Sequence, residues 1–150
     1  MYRNNLSGAE FWTSPHKAIT LLGMSGAGKT TLASRLPQRT WFHYSGDYRI
    51  GTRYLGEAIL DNAKREAMKS PLLAELLRSD SIYLCNNITV SNLKPLSGFL
   101  GMVGDPALGG LGIDEFKRRQ ALHRDAEVRS MLDVREFIDK SLEIYGYPHF

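Results

Sequence analysis

The 150-residue sequence has one cysteine, Cys85. An internal disulfide is therefore excluded, and apolar burial has to hold the fold together. A lone thiol of this kind reads as a small core residue, and its isolation points to a reducing, cytoplasmic setting. No apolar run approaches the ~20 residues of a membrane span, so no membrane partner is expected. The first dozen residues have no long apolar centre, which argues against a signal peptide. Histidine and cysteine never cluster with metal-ligand spacing, which excludes zinc chemistry. Repeats and low-complexity tracts are missing too. The net charge is only +3, and no single basic block dominates. Nucleic acid is thus a poor partner, whereas a small anionic ligand suits the chain.

What is present is ordinary in bulk and particular in one place. Apolar residues make up 43% of the chain and charged residues 23%, enough for one globular domain over 1–150 with a real core. The particular place is Gly23, Met24, Ser25, Gly26, Ala27, Gly28, Lys29 and Thr30. This run fits G-x-x-x-x-G-K-[ST], a loop whose backbone N–H groups cradle phosphates. Residues 18–22 before it read as a short buried strand, and residues 31–36 after it as a helix. In such a loop Lys29 reaches the β- and γ-phosphates, and the Thr30 hydroxyl takes Mg²⁺, a hard cation that prefers oxygen. Thr31, next in line, belongs to the same cradle but more naturally packs or caps.

Pro37 stops the first helix, and the aromatic-rich residues 41–45 read as a second strand. A helix between two strands implies a right-handed crossover and a parallel pair. Ligands of open α/β sheets bind beyond the carboxyl ends of the strands. Asp47, Arg49 and Arg53 are therefore expected on the same crevice as Lys29. Asp47 would orient an acceptor hydroxyl or take its proton, and Arg49 or Arg53 would hold an acceptor anion. The plainer alternative is that Asp47 caps the next helix.

The loop, taken with Phe42, His43, Tyr44, Ser45, Gly46 and Asp47, resembles the small-molecule kinase branch of the P-loop nucleoside triphosphatases: the adenylate, shikimate and gluconate kinases. The match covers residues 18–53. Two departures stand out. Arg49 lies one position closer to the aspartate than in adenylate kinases, and Ser45 stands where shikimate kinases have the first acid of Asp-x-Asp. The remainder is similar to bacterial proteins labelled only P-loop ATPase. The resemblance implies a three-layer α/β fold with a parallel sheet, ATP and Mg²⁺ as cofactors, and phosphoryl transfer. It also implies a lid whose arginines close over the phosphates, for which Arg118, Arg119 and Arg124 are the candidates; the plainer alternative is a solvated helix face with local Glu and Asp pairs.

The rest of the chain reads as helix-rich. A helix is expected over residues 53–68, and another starts at Pro71. Residues 82–90 are a strand or an extended connector, and Asn92 is placed to cap a helix over 93–103. The glycine-rich stretch 101–112 is a connector or a lid hinge. A basic helix then opens at Ile113, with Phe116, Ala121, Leu122 and Met131 on its packed side. A separate helix follows over 133–144, ended by Gly146, and residues 147–150 start a strand. A second acidic motif for Mg²⁺ is missing: the best strand-like run ends in Asn86, and Asp105 follows a glycine-broken run. That gap, with no stop signal after Pro148, leads to the expectation that the chain is the N-terminal part of a longer protein. No Asn-Lys-x-Asp motif supports guanine recognition. The expected activity is Mg-ATP-dependent phosphoryl transfer to a small molecule, with Lys29 and Asp47 as catalytic residues. The rival readings are an ATPase coupled to motion and a non-catalytic nucleotide-binding module.

Overall fold

The computed structural model describes residues 6–24 and 26–150. Helix accounts for 56% of the described residues and strand bridges for 5%, and no sheet forms among them. The expected three-layer α/β fold with a parallel sheet is thereby overturned. What remains of strand pairing is a set of isolated bridges, among them Lys17 with His149 and Trp41 with His149, both parallel. The Phe150 N–H donates to the Lys17 carbonyl (2.8 Å) and the Ile19 N–H to the Phe150 carbonyl (2.9 Å). Beside them the His149 N–H donates to the Thr40 carbonyl (3.1 Å) and the Phe42 N–H to the His149 carbonyl (2.9 Å). The ladder spans too few residues to make a sheet face with a layer packed on it. Residues 18–22 are accordingly not a buried strand: Ile19 is 37% exposed and Leu22 84%.

The chain divides into two compact units. One comprises residues 1–44 and 133–150. Its first element is α1, Gly8–Thr13. Its start is a capping box, in which the Ser7 side chain and Glu10 satisfy each other's backbone N–H groups. Next comes α2, Lys29–Ala33, shorter than expected. The side chains of Phe42, Tyr44, Phe137, Tyr145, Tyr147 and Phe150 form an aromatic cluster, with ring centroids 5.1–6.4 Å apart in the contacting pairs.

The other unit comprises residues 45–132. Ser45 caps α3, Gly46–Arg49, its Oγ accepting from the Tyr48 N–H. A π-helical turn, Ile50–Tyr54, follows directly. Then come α4, Gly56–Ala67, and α5, Pro71–Arg78, which starts at its proline as expected. α4 places Glu57 in its first turn and Lys64 and Arg65 in its last, matching the helix dipole. Residues 82–88 run without a named strand, but their exposure alternates. Ile82, Leu84, Asn86 and Ile88 turn inward while Tyr83, Cys85 and Asn87 face solvent. That period of two leaves Cys85 exposed, not in the core as expected.

Helix α6, Lys94–Leu100, buries Leu96 and Phe99. It ends at Gly101, whose φ of +60° and approach to Leu111 leave no room for a side chain; a Cβ would lie 2.8 Å from Leu111 Cδ1. The glycine-rich stretch is a closed loop, not an open hinge. The Gly104 N–H donates to the Leu111 carbonyl and the Leu111 N–H to the Met102 carbonyl, both at 2.9 Å. Finally α7, Ile113–Glu143, is one 31-residue helix where two were expected. Its buried residues are Arg119, Ala126, Ser130 and Ser141, on a helical spacing. Small and polar residues on that stripe made it look sparse in sequence. Met131 and Ala121, expected to pack, are exposed. The apolar core of this unit is Ile50, Leu55, Ile59, Ile88, Leu96, Phe99 and Ala126, with Tyr54, Ala58, Leu93, Leu100 and Leu122 against it.

Candidate functional site

The glycine loop lies in the 1–44 and 133–150 unit and is open to solvent; Met24 is 86% exposed. Ser25 lies outside the described residues. Gly26 and Gly28 adopt φ of +80° and +82°, the left-handed region that costs an L-residue about 1–2 kcal/mol. That pair of reversals folds the loop back before α2. The Ala27 N–H is used inside the loop, donating to the Met24 carbonyl at 3.2 Å. The first intrahelical donor is Leu32, bonded to the Gly28 carbonyl at 2.9 Å. The N–H groups of Lys29, Thr30 and Thr31 precede it, so the helix itself leaves them unsatisfied. α2 has only five residues. Its macrodipole is correspondingly small, and the attraction for an anion rests on local N–H groups and the lysine.

Lys29 folds over this loop. Its Nζ donates to the Gly23 and Met24 carbonyls, each at 2.7 Å. An ammonium held by two neutral acceptors is a ready partner for a phosphate oxygen, since hydrogen bonds between ionised groups are roughly twice as strong. The Thr30 side chain is exposed and offers one hard oxygen to a cation. Among the described residues no group of three His, Cys, Asp or Glu side chains could enclose a metal. A Mg²⁺ on Thr30 would fill its octahedron with waters and phosphate oxygens, which is its usual habit.

The remaining sequence candidates lie in the 45–132 unit. Asp47 is exposed in the first turn of α3. It does not cap that helix, because Ser45 does. Arg53 is exposed on the π-turn. Arg49 lies against Tyr54, its guanidinium carbon 5.7 Å from the ring centroid, and makes further interactions.

The three lid candidates have different employments. Arg118 is paired with Glu115 through Nε (2.7 Å) and Nη2 (2.8 Å). Arg119 is buried and bound on three sides: Glu115 Oε1 (2.7 Å), the Phe99 carbonyl and Asn62 Oδ1 (2.8 Å). It also stacks over the Phe99 ring at 4.7 Å. It ties α7 to α4 and α6. Glu115 between these arginines has its carboxyl pulled down to about 2, first by the hydrogen bonds from Arg118 and then by those from Arg119. Arg124 is exposed, with no hydrogen bond or ion pair among the described residues. Arg129, on the same basic helix but not among the lid candidates, has its guanidinium carbon 5.8 Å from the Tyr54 ring centroid. Its signal was hidden, because nothing in the residue order links position 129 to position 54.

No helix among the described residues is long and apolar enough to cross a membrane. No protein-family model, curated protein or solved structure matches the chain.

Proposed function

We infer that the chain binds Mg-ATP on residues 23–31 and passes the terminal phosphoryl group to a small-molecule acceptor. The observation that carries this reading is the Lys29 ammonium folded onto the Gly23 and Met24 carbonyls beside two left-handed glycines. That is a compact cationic loop at the start of a helix, and a polyanion is its natural complement. Lys29 would stabilise charge developing on the transferred group, and Thr30 would hold Mg²⁺. Asp47 would orient the acceptor hydroxyl and take its proton as the acceptor oxygen bonds to phosphorus and ADP departs. The sequence resemblance to small-molecule kinases supports transfer over plain hydrolysis. It does so on the loop and the segment 42–47, not on a shared sheet.

Calorimetric titration of the purified chain with Mg-ATP and Mg-GTP, beside Lys29→Ala, tests the loop. Saturable binding that Lys29→Ala weakens by at least about tenfold (~1.4 kcal/mol) is the expected result. Equal binding by both proteins, or none by a folded wild-type chain, overturns it. ADP formation that depends on an added acceptor, and that Asp47→Ala abolishes while ATP binding persists, separates a kinase from an ATPase. ATP bound without turnover marks a nucleotide-binding module.

A further inference from the structure

The 45–132 unit holds a cleft of about 470 Å³ that none of the residues assigned above to nucleotide or acceptor lines. Its size is that of a small-molecule site. One wall is a stripe of α4: Glu57, Leu60, Asp61 and Lys64 stand at helical spacings of three and four. Another wall is the extended segment from which Asn86 and Ile88 turn inward. The π-turn contributes Gly51 and Thr52. Two glycines let these walls meet. A Cβ on Gly51 would come within 3.4 Å of Ile88 Cδ1 and Cγ2, and one on Gly56 within 3.2 Å of the Gly51 carbonyl oxygen. π-turns are rare and are frequent at functional sites.

The polar groups of this cleft have committed donors and kept acceptors. Thr52 Oγ1 donates its one proton to the Tyr48 carbonyl at 2.7 Å, so toward a ligand it accepts. Asn86 Nδ2 donates to the Gly56 carbonyl at 2.8 Å, which fixes the amide. Its Oδ1 accepts from no group among the described residues. Glu57, exposed in the first turn of α4, has no hydrogen bond or ion pair among the described residues. Carboxylates four residues apart on a helix repel each other. Lys64 Nζ stands 3.8 Å from Asp61 Oδ1 and compensates Asp61. Glu57 is about two helical turns from that lysine, and its charge is left to an outside partner.

The complement of this cleft brings donors and positive charge. A divalent metal fits poorly, because it asks for six or more oxygens and no group of three acidic, His or Cys side chains could enclose one among the described residues. A primary ammonium brings three N–H donors and a single charge. Leu60 and Ile88 offer apolar surface to the carbons behind it.

We propose that the cleft formed by the π-turn, α4 and residues 86–88 binds a primary alkylammonium. Glu57 pairs with its charge, Asn86 Oδ1 and Thr52 Oγ1 accept its other N–H groups, and Leu60 and Ile88 flank the carbon chain. The site goes beyond the phosphoryl-transfer reading and does not depend on it.

The test is a titration of the full chain with n-butylammonium chloride, followed on the backbone amides of Gly51, Thr52 and Glu57 and on the side-chain amide of Asn86. In parallel arms n-butanol carries the chain without the charge, and ammonium chloride the charge without the chain, all at matched ionic strength. Saturable shifts with butylammonium, and with neither control, are expected. Glu57→Gln should raise the dissociation constant about fivefold, near the upper end for an ion pair open to solvent. Thr52→Val should raise it by a smaller factor. Glu57 is exposed, so glutamine there leaves the packing untouched. A folded wild-type chain without saturable shifts overturns the proposal. So do shifts that butanol or ammonium chloride reproduces, and an unchanged dissociation constant in Glu57→Gln. ATP enters none of these readouts, so a failure of nucleotide binding leaves this site standing and a failure here leaves the glycine-loop reading standing.

Discussion

The two units of the chain bury their apolar residues very differently. Every buried hydrophobic residue among those described belongs to the 45–132 unit: Ile50, Leu55, Ile59, Ala74, Ile88, Leu96, Phe99 and Ala126. The unit with the glycine loop has a half-buried aromatic cluster instead, and it leaves Leu22 84% and Leu32 57% exposed. The glycine loop thus sits in the unit where little apolar area is buried, and the best packed residues sit in the other. Local stability follows buried apolar contact, so backbone amides of residues 45–132 should exchange more slowly than those of residues 17–44. Equal protection in both stretches would break the comparison at its root.

The largest single effect is expected from Phe99→Ala. Phe99 is 3% exposed in the core and lies under Arg119. Truncation should cost about 3–5 kcal/mol, read as a lower denaturant midpoint and faster exchange in residues 45–132. A loss below about 1 kcal/mol would mean that this core is not what holds the unit.

Arg119→Ala should cost about 2–3 kcal/mol, because the Phe99 carbonyl and Asn62 Oδ1 lose their donor at a buried site. If instead Arg119→Ala melts like wild type and loses phosphoryl transfer, Arg119 is a lid residue and the structural reading fails.

The smallest effect concerns pH. The folded-state Glu115 carboxyl is depressed to about 2 from an ordinary 4.5. Its contribution is therefore fully present above pH 4.5 and is lost as pH falls toward 2. The carboxylate side chain is 36% exposed, so solvent screening reduces the contribution to about 1 kcal/mol. Glu115→Gln should flatten that part of the acid unfolding curve. An unchanged acid limb would show that the pair with Arg118 and Arg119 contributes nothing.

The sequence made some of this legible. The glycine loop, the helix starting at Pro71 and the turn at Gly146 follow from local chemistry, which residue order displays directly. α1 is not among the expected helices, although Ser7 and Glu10 stand three residues apart in capping-box spacing. The sheet was misjudged because apolar runs such as residues 18–22 fix an extended backbone but not the partners that would cover it. Cys85 was misjudged for a related reason: in an extended segment burial alternates, and its neighbours Leu84 and Asn86 took the inward positions. The union of Arg49, Tyr54 and Arg129 was beyond reach. It depends on a π-turn that shifts the helical phase and on a helix contributed from about 75 residues later.

The placement of three side chains also gives each unit its own optical reporter. Both tryptophans, Trp12 and Trp41, lie in the unit that carries the glycine loop, while the single cysteine, exposed Cys85, lies in the other. Intrinsic fluorescence can therefore follow the first unit as a maleimide dye on the native thiol follows the second. One unmodified sequence supplies both channels, so a denaturation series can time the two transitions against each other in a single cuvette.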